Sequence, residues 1–314
     1  MAGIGLLLNP RAKRNQKDPA LGDRLSRQIQ DHGVVRHAGD LDALRRAVED
    51  FKALDIDLLV VGGGDGTNHV TIGGMVEVYG DAPLPMLGLL RGGTMNTVAN
   101  SLHIPRRSPE GLLARYIKVY LARAQTPLSI KETHVMRIGD RYGFIFGTGA
   151  IHGFIAEYSR REIRSAAWAA QVLSRSVASA AVGGETIQRV GARWMGRVRF
   201  ADGSAFPDRD YLAVGASTCA EIGLGFKPFF QSAKHPGKFH VLGIHGSPAE
   251  FIQALPRIWQ GKAFGSEYAY ERVADYAVLE PRYGTVAYTL DGDIYEHEGE
   301  LEVRTGPRLD LLVP

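Results

Sequence analysis

A glycine-rich run near residue 60 has the composition of a phosphate-binding turn. Gly62-Gly63-Gly64-Asp65-Gly66-Thr67 directly follows the apolar stretch Leu58–Val61. Glycine takes positive φ without strain, so the backbone N–H groups of such a turn can approach phosphate oxygens closely. Asp65 adds one carboxylate, which could hold a metal ion or a nucleotide hydroxyl. The run predicts a nucleoside polyphosphate site, and the alternative is a turn that only closes a strand.

The run matches neither common nucleotide-binding motif. It lacks the Lys-Ser/Thr pair of the P-loop, and Thr67 stands where the dinucleotide fingerprint has a glycine. Two further apolar segments end in similar turns. Ile4–Leu8 leads into Asn9-Pro10, and Pro85–Leu90 leads into a second glycine pair at 92–93. Because ligands of parallel α/β sheets bind at the carboxyl ends of the strands, we expect the three turns to share one site.

Periodic apolar residues predict the elements that position these turns. Residues 19–32, 41–54 and 110–124 have helical spacing, and Asp40 is a plausible N-cap for the second of these helices. Alternating strands and helices predict a doubly wound α/β domain over residues 1–127.

Beyond Pro127 the pattern changes to short β-branched and aromatic segments. We predict a β-rich, acceptor-binding domain over residues 128–314, built as an antiparallel sandwich with a helical insertion around 154–191. That insertion carries Arg160, Arg161, Arg164 and Arg175 beside Trp168. It could lie in a lipid interface, although packing on its own domain is the favoured alternative.

Four motifs, in this order, resemble the diacylglycerol kinase catalytic-domain family. They are Asn9-Pro10, Gly63–Thr67, Gly93-Thr94-x-Asn96-x-x-Ala99 and Leu290-Asp291-Gly292-Asp293. That family includes bacterial lipid kinases, sphingosine kinases and ceramide kinases, and it is distantly related to NAD kinases. The resemblance implies an ATP-dependent kinase that phosphorylates a lipid hydroxyl, on a diacylglycerol-like or sphingoid acceptor, with ATP and Mg²⁺ as cofactors.

The resemblance also suggests roles for individual residues. Asp291 corresponds to the general base, and Asp65 is expected to bind the nucleotide or its Mg²⁺. Asp293 and Arg91 are expected to support the site, Arg91 by neutralising phosphate, unless it forms an ordinary surface ion pair. The predicted nucleotide-binding residues are Asn9, Gly63, Gly64, Asp65, Gly66, Thr67, Gly93, Thr94 and Asn96.

Departures from the family pattern keep two alternatives open. Asn68-His69-Val70 lacks the glutamate that family members have there, and Lys234–Lys238 lacks the carboxylates linked to a structural metal. These differences favour a non-catalytic lipid or nucleotide sensor. The other alternative is a kinase of a soluble acceptor such as NAD, in which Asp65 would be the base.

Composition sets further limits. The chain has 314 residues, of which 45% are hydrophobic, enough for two domains, and its one cysteine, Cys219, excludes an intrachain disulfide. The formal net charge of +3 is too small to indicate nucleic-acid binding but suits transient contact with an anionic membrane. With no apolar run of transmembrane length and no secretion signal, we expect a cytoplasmic protein, peripheral on the membrane at most. A homodimer is left open.

Overall fold

A computed structural model describes residues 3–93, 96–160, 165–182, 191–265 and 267–314. The chain divides into two compact units. Unit 1 comprises residues 1–133 and 307–314, and unit 2 comprises residues 134–306. None of the described helices is long and apolar enough to cross a bilayer.

Unit 1 contains a parallel sheet with the order β2-β1-β3-β4. β1 and β3 are buried along their whole length, as their uninterrupted apolar sequences predict for central strands of such a sheet. The strands are β1 (Ile4–Leu8), β2 (Gly33–His37), β3 (Leu58–Gly62) and β4 (Met86–Leu89).

The described part of unit 1 has six helices, of which the first four lie between these strands and the last two follow β4. The chain moves outward from β1 to β2 and then back to β3, so right-handed crossovers place the connecting helices on opposite faces of the sheet. The helices are α1 (Lys13–Lys17), α2 (Leu21–Ile29), α3 (Leu41–Ala53), α4 (Asp65–Tyr79), α5 (Thr97–Ser101) and α6 (Pro109–Leu121). The predicted cap of α3 is confirmed, because the Asp40 carboxylate accepts from the Ala43 N–H at 2.8 Å.

Unit 2 is built from antiparallel strands, which confirms the predicted fold class. One sheet has the order β12-β11-β10-β7-β14-β15. In the other sheet β13 pairs with β8 and with the first part of β16, and β8 pairs with β9. The strands are β5 (Ile130–Ile138), β6 (Arg141–Gly143), β7 (Ile145–Thr148), β8 (Trp194–Phe200), β9 (Ala205–Tyr211), β10 (Ala213–Ser217), β11 (Phe239–Ile244), β12 (Ala269–Ala274), β13 (Tyr276–Pro281), β14 (Thr285–Leu290), β15 (Asp293–Glu298) and β16 (Leu301–Leu312).

The two sheets of unit 2 share one apolar core. Alternate residues such as Val198 and Leu279 from one sheet meet Phe146, Val241 and Leu290 from the other. All five are fully buried or nearly so. This interleaving of two inner faces is the packing of a β-sandwich.

The described part of unit 2 contains the helices α7 (Ala150–Ser159), α8 (Ala166–Val182) and α9 (Pro248–Trp259). Trp168 of α8 is 7% exposed, and its indole N–H donates to the Tyr158 carbonyl at 3.0 Å. The structure therefore favours the packing alternative for this helix over insertion of Trp168 into lipid. Arg161 and Arg164 of the predicted insertion, and residues 183–190, lie outside the described residues.

The unit boundary differs from the predicted one at residue 127. The chain leaves unit 1 after Thr133, and its last eight residues, Pro307–Pro314, return to unit 1. Within that unit, Leu311 pairs in parallel with Leu87 of β4. An apolar strand looks the same in sequence whichever sheet it joins, so this long-range return has no local signal.

Candidate active site

Three strands of unit 1 end level with one another. Leu8 of β1 pairs with Gly62 of β3, and Val61 pairs with Leu89 of β4. The turns that follow therefore leave from the same edge of the sheet, as their sequences predicted. Two of them are named here: the first glycine loop is Gly62–Gly64 and the second is Arg91–Gly93.

The two glycine loops are in direct contact. The Gly92 N–H donates to the Gly63 carbonyl at 2.8 Å. A Cβ on Gly64 would come within 2.6 Å of the Gly93 Cα, so neither position has room for a side chain. The glycines are thus required for loop-to-loop packing, a reason the sequence argument missed. Gly66 differs, because it is exposed and a Cβ there would meet no atom within 4 Å.

Asp65 connects the two loops through its side chain. It is the first residue of α4, and its carboxylate accepts from the N–H groups of Thr97 at 3.1 Å and Val98 at 3.4 Å. Those amides belong to the first turn of α5, where helical N–H groups have no partner within the helix. Asp65 thus caps α5 and positions the segment after the second glycine loop.

Asn9 and Thr67 join the first strand turn to α4. The Asn9 amide donates from Nδ2 to Thr67 Oγ1 at 3.0 Å, while its Oδ1 accepts from the Arg11 N–H at 2.8 Å. Thr67 is buried, at 8% exposure. The structure therefore brings Asn9 to Thr67, which lies 58 residues further along the chain and two residues after Asp65.

The remaining predicted residues of the second loop support its shape. Asn96 has a left-handed backbone, and its amide accepts from the Gly93 N–H at 3.0 Å and donates to the Gly93 carbonyl at 2.8 Å. Arg91 donates to the Ile104 carbonyl at 2.9 Å and to the Asn100 side chain. Thr94 lies outside the described residues. Contacts of Asn96 and Arg91 with a nucleotide stay predictions.

Asp291 occupies a two-residue turn between β14 and β15 in unit 2. Leu290 pairs with Asp293, and both turn residues have positive φ, 51° at Asp291 and 94° at Gly292. This is the hairpin turn that an Asp-Gly pair favours. The hairpin alternative and a chemical role for Asp291 are therefore compatible.

Backbone amides hold the Asp291 carboxylate in place. Its Oδ1 accepts from the N–H groups of Phe144 at 3.1 Å and Ile145 at 2.9 Å, and its Oδ2 also lies 3.1 Å from the Phe144 nitrogen. The Asp291 N–H donates to the Ile145 carbonyl at 2.9 Å. A Cβ on Gly143 would stand 2.7 Å from Oδ2. Backbone N–H groups thus orient the carboxylate, and Asp291 itself is half-buried.

Asp293 begins β15 beside this turn. Burial comes first, and the Asp293 charge second, among the causes that raise the pKa of Tyr295. The supporting role of Asp293 stays a prediction.

Comparison with known proteins concerns the residues of unit 1 described above, which include Asn9, Asp65 and the two glycine loops. Residues 4–127 match the family described as diacylglycerol kinase catalytic domain. This match covers less than half of the chain, and it shows that residues 4–127 are similar to the catalytic domain of that family. The match contains Asn9, both glycine loops and Asp65, and it ends before Asp291.

Curated relatives carry lipid kinase names. The protein "Probable lipid kinase YegS" of Salmonella arizonae is 27% identical over 165 residues, which is 51% of this chain and 50% of that protein. "Probable lipid kinase YegS-like" of Citrobacter koseri is 31% identical over 110 residues, 34% of this chain and 35% of that one. The chain thus spans about half the length of the first of these relatives.

Solved structures extend the likeness to the whole fold. A diacylglycerol kinase structure from Bacillus anthracis covers 99% of this chain and 97% of its own, with a TM-score of 0.66 and 16% identity. A second Bacillus anthracis structure aligns with the same coverage, a TM-score of 0.71 and 13% identity. At these identities the likeness establishes the fold shared with diacylglycerol kinase structures.

The sequence analysis did not identify the backbone groups that hold Asp65 and Asp291. The amides of Phe144 and Ile145, which hold Asp291, have no side-chain signature. Gly143 was the available signal, because a glycine just before a buried strand suggests a close approach. The Asp65 contact with the α5 amides likewise depends on tertiary folding.

Two departures from the family pattern now have a structural setting. Asn68 and His69, which replace the usual glutamate segment, are buried at 5% and 7% exposure within α4. The Asn68 Oδ1 has no hydrogen-bond partner. Among the residues described here, no group of three His, Cys, Asp or Glu side chains is arranged to hold a metal.

Proposed function

We propose that this protein is an ATP-dependent lipid kinase that transfers the γ-phosphoryl group to a hydroxyl of a diacylglycerol-like or sphingoid lipid. The observation that carries the proposal is the pair of packed glycine loops, joined by Asp65, at the carboxyl ends of β3 and β4. The family match over residues 4–127 and the lipid kinase names of the relatives support it.

The N-terminus of α4 fits a phosphate group. Its N-cap is Gly64, which has no side chain to accept from the first-turn amides. Unsatisfied N–H groups and the helix dipole together favour an anion at this position. Gly66 is exposed next to these amides and has open space where a Cβ would be. ATP bound here would supply the phosphoryl group, and a nucleotide-bound Mg²⁺ held by Asp65 would neutralise charge on its phosphates.

Several side chains are suited to hold the nucleotide. Thr67 and Asn9 present hydroxyl and amide groups beside the α4 N-terminus. Asp65 accepts two amide bonds of 3.1 and 3.4 Å. A carboxylate has about four lone-pair positions, so Asp65 has the capacity to bind a nucleotide-bound cation as well.

In the proposed reaction Asp291 takes the proton of the lipid hydroxyl. The acceptor oxygen then forms a bond to the γ-phosphorus, the bond from that phosphorus to the bridging oxygen breaks, and ADP leaves. The amides of Phe144 and Ile145 fix the direction of the carboxylate before the substrate arrives. This preorganisation is what a general base requires, because reach and orientation come before basicity.

The experiment measures ADP release by the purified protein with ATP and Mg²⁺. Mixed micelles supply diacylglycerol, monoacylglycerol, sphingosine or ceramide, and NAD is the soluble acceptor. Release with one lipid, lost in Asp291→Asn but kept in Glu298→Gln at an exposed carboxylate of the same hairpin, supports both the class and the base. Release with NAD alone would move the protein to the soluble-acceptor alternative. ATP binding without release on any acceptor would favour the sensor alternative.

A further inference from the structure

The exposed tryptophan of this chain is Trp259. The sequence contains three tryptophans. Trp168 and Trp194 are 7% and 5% exposed, whereas Trp259 is 60% exposed at the end of α9. Exposing so large an apolar side chain to water is unfavourable, so a surface tryptophan often marks an interaction site.

A tight turn supports the Trp259 indole from one side. A Cβ on Gly225 would come within 2.8 Å of the Trp259 Nε1. Gly225 lies in a turn where the Ile222 N–H donates to the Phe226 carbonyl at 3.0 Å. Ile222 is itself 37% exposed. Ile222 and Trp259 thus form an exposed apolar pair that belongs wholly to unit 2.

Three basic residues lie near this pair in the chain fold. The Lys227 N–H donates to the Ile258 carbonyl at 3.1 Å, and the Lys262 N–H donates to the Arg257 carbonyl at 3.0 Å. These backbone bonds bring the main chain of Lys227 and of Lys262 close to the last turn of α9, which contains Arg257. We call these three residues, together with Ile222 and Trp259, the Trp259 patch.

The patch has an excess of positive charge. Its three basic residues are exposed, and none forms an ion pair within the part of the chain that the structure describes. The Arg257 Nε donates to the Ala263 carbonyl at 3.3 Å, which leaves its charge uncompensated. The carboxylate closest in sequence is Glu221, just before Ile222. Three positive charges against one negative charge favour an anionic partner.

We propose that the Trp259 patch docks on the surface of an anionic phospholipid bilayer. Tryptophan prefers the boundary between lipid headgroups and acyl chains, and basic side chains next to it are attracted to anionic headgroups. A second copy of this chain fits less well, because a two-fold interface would bring the positive charges of two identical patches together. The inference is independent of catalysis, although a lipid kinase would gain access to its acceptor by it.

Vesicle binding tests the proposal without any turnover measurement. The full chain is sedimented with vesicles of phosphatidylcholine alone or with about one third phosphatidylglycerol, at low and at high salt. We expect binding to the anionic vesicles, with loss near 1 M salt, where the screening length falls to about 3 Å. Because the other two tryptophans are buried, a blue shift of tryptophan fluorescence on binding would report Trp259.

Matched variants separate the patch from general charge. Trp259→Ala should weaken binding about tenfold, while Tyr283→Ala, at a 75% exposed aromatic residue, should not. Replacing Lys227, Arg257 and Lys262 by Gln should cost about fivefold per charge. The same replacement of Arg27, Arg115 and Lys118 also lowers the net charge from +3 to 0, yet should leave binding unchanged.

Several results would overturn the proposal. These are equal binding to neutral vesicles, equal losses from the two triple variants, and full binding by Trp259→Ala. Concentration-dependent self-association that Trp259→Ala abolishes, without vesicle binding, would make the patch an interface between copies. Vesicle binding by a protein with no kinase activity would leave the docking proposal standing while the proposed function fails.

Discussion

At the scale of single residues, Asp65 and Asp291 are held in the same manner. Each carboxylate accepts from two consecutive backbone N–H groups, Thr97 and Val98 for Asp65, Phe144 and Ile145 for Asp291. Such bonds orient a carboxylate without adding a side chain that could move. Both residues follow the end of a strand: Asp65 begins α4 after β3, and Asp291 lies in the turn after β14.

Replacement of Asp291 tests its proposed role. Asn tolerates the left-handed backbone of this turn, so Asp291→Asn should fold normally. It cannot accept a proton in the same way, and we expect turnover to fall by roughly two to four orders of magnitude. Steady-state ADP release with the preferred lipid measures this. Glu298→Gln, at an exposed carboxylate of the same hairpin, is the matched control, and only a severalfold loss in Asp291→Asn would rule out the base assignment.

At the scale of elements, glycine serves two different purposes in and next to the glycine loops of unit 1. Gly64 and Gly93 let the two loops touch, whereas Gly66 lies exposed at the start of α4. In the sequence these residues look like equivalent glycines. The structure distinguishes them by the space that each would have for a Cβ atom.

Alanine substitutions should distinguish the two purposes. Gly64→Ala would force a Cβ to within 2.6 Å of the Gly93 Cα, so we expect a loss of stability of about 1–3 kcal/mol. Gly66→Ala meets no atom within 4 Å and should leave stability unchanged or slightly improved. If a phosphate lies there, Gly66→Ala should weaken ATP binding. Urea unfolding and ATP titration measure the two effects, and equal destabilisation by both variants would contradict this division.

Tyr116 ties α6 to β4. Its hydroxyl accepts from the Leu89 N–H at 3.0 Å, and the ring lies 3.1 Å from where a Cβ on Gly88 would be. Burial raises the pKa of Tyr116 well above its ordinary value. The group therefore stays neutral and hydrogen-bonded throughout the ordinary pH range.

Removing that hydroxyl should be costly. Tyr116→Phe leaves the buried Leu89 N–H without its side-chain acceptor, and we expect the free energy of unfolding to fall by about 1–3 kcal/mol. Tyr283→Phe, at an exposed tyrosine, serves as the control. Denaturant unfolding with unchanged m-values gives the difference, and equal stability of the two variants would show that the bond contributes nothing.

At the scale of the whole molecule, unit 1 is assembled from two segments that are far apart in the chain, whereas unit 2 is continuous. Leu311 pairs in parallel with Leu87, more than half the chain away, and both side chains are 1% exposed. The last residues are thus part of unit 1. A domain cut at residue 127 would lack them.

A core substitution at the C-terminal end should therefore affect unit 1. Leu311→Ala should destabilise the protein by about 2–5 kcal/mol, the usual cost of emptying a buried leucine site. Hydrogen exchange at the amides of β4 should accelerate as well. Leu41→Ala, at a 67% exposed leucine, should do neither. Unchanged exchange in β4 would mean that the return of the chain is unimportant to this sheet.

Local pattern determined the elements of this protein and the chemistry at the ends of its strands. Apolar periodicity predicted β1, β3 and the extent of α3 from Leu41, and glycine with polar residues marked the loops at Gly64 and Gly93. These signals are local, because burial and turn geometry restrict the residue types at each position.

Tertiary structure alone decided which distant groups meet. It assigned the α5 amides to Asp65, the amides of Phe144 and Ile145 to Asp291, and the end of β16 to β4. It also buried Trp168, in agreement with the favoured packing alternative, and exposed Trp259. Every residue except proline has the same backbone amide, and the same apolar side chains occur in the core and on the surface. The sequence therefore does not indicate which amide a carboxylate binds or which tryptophan is exposed.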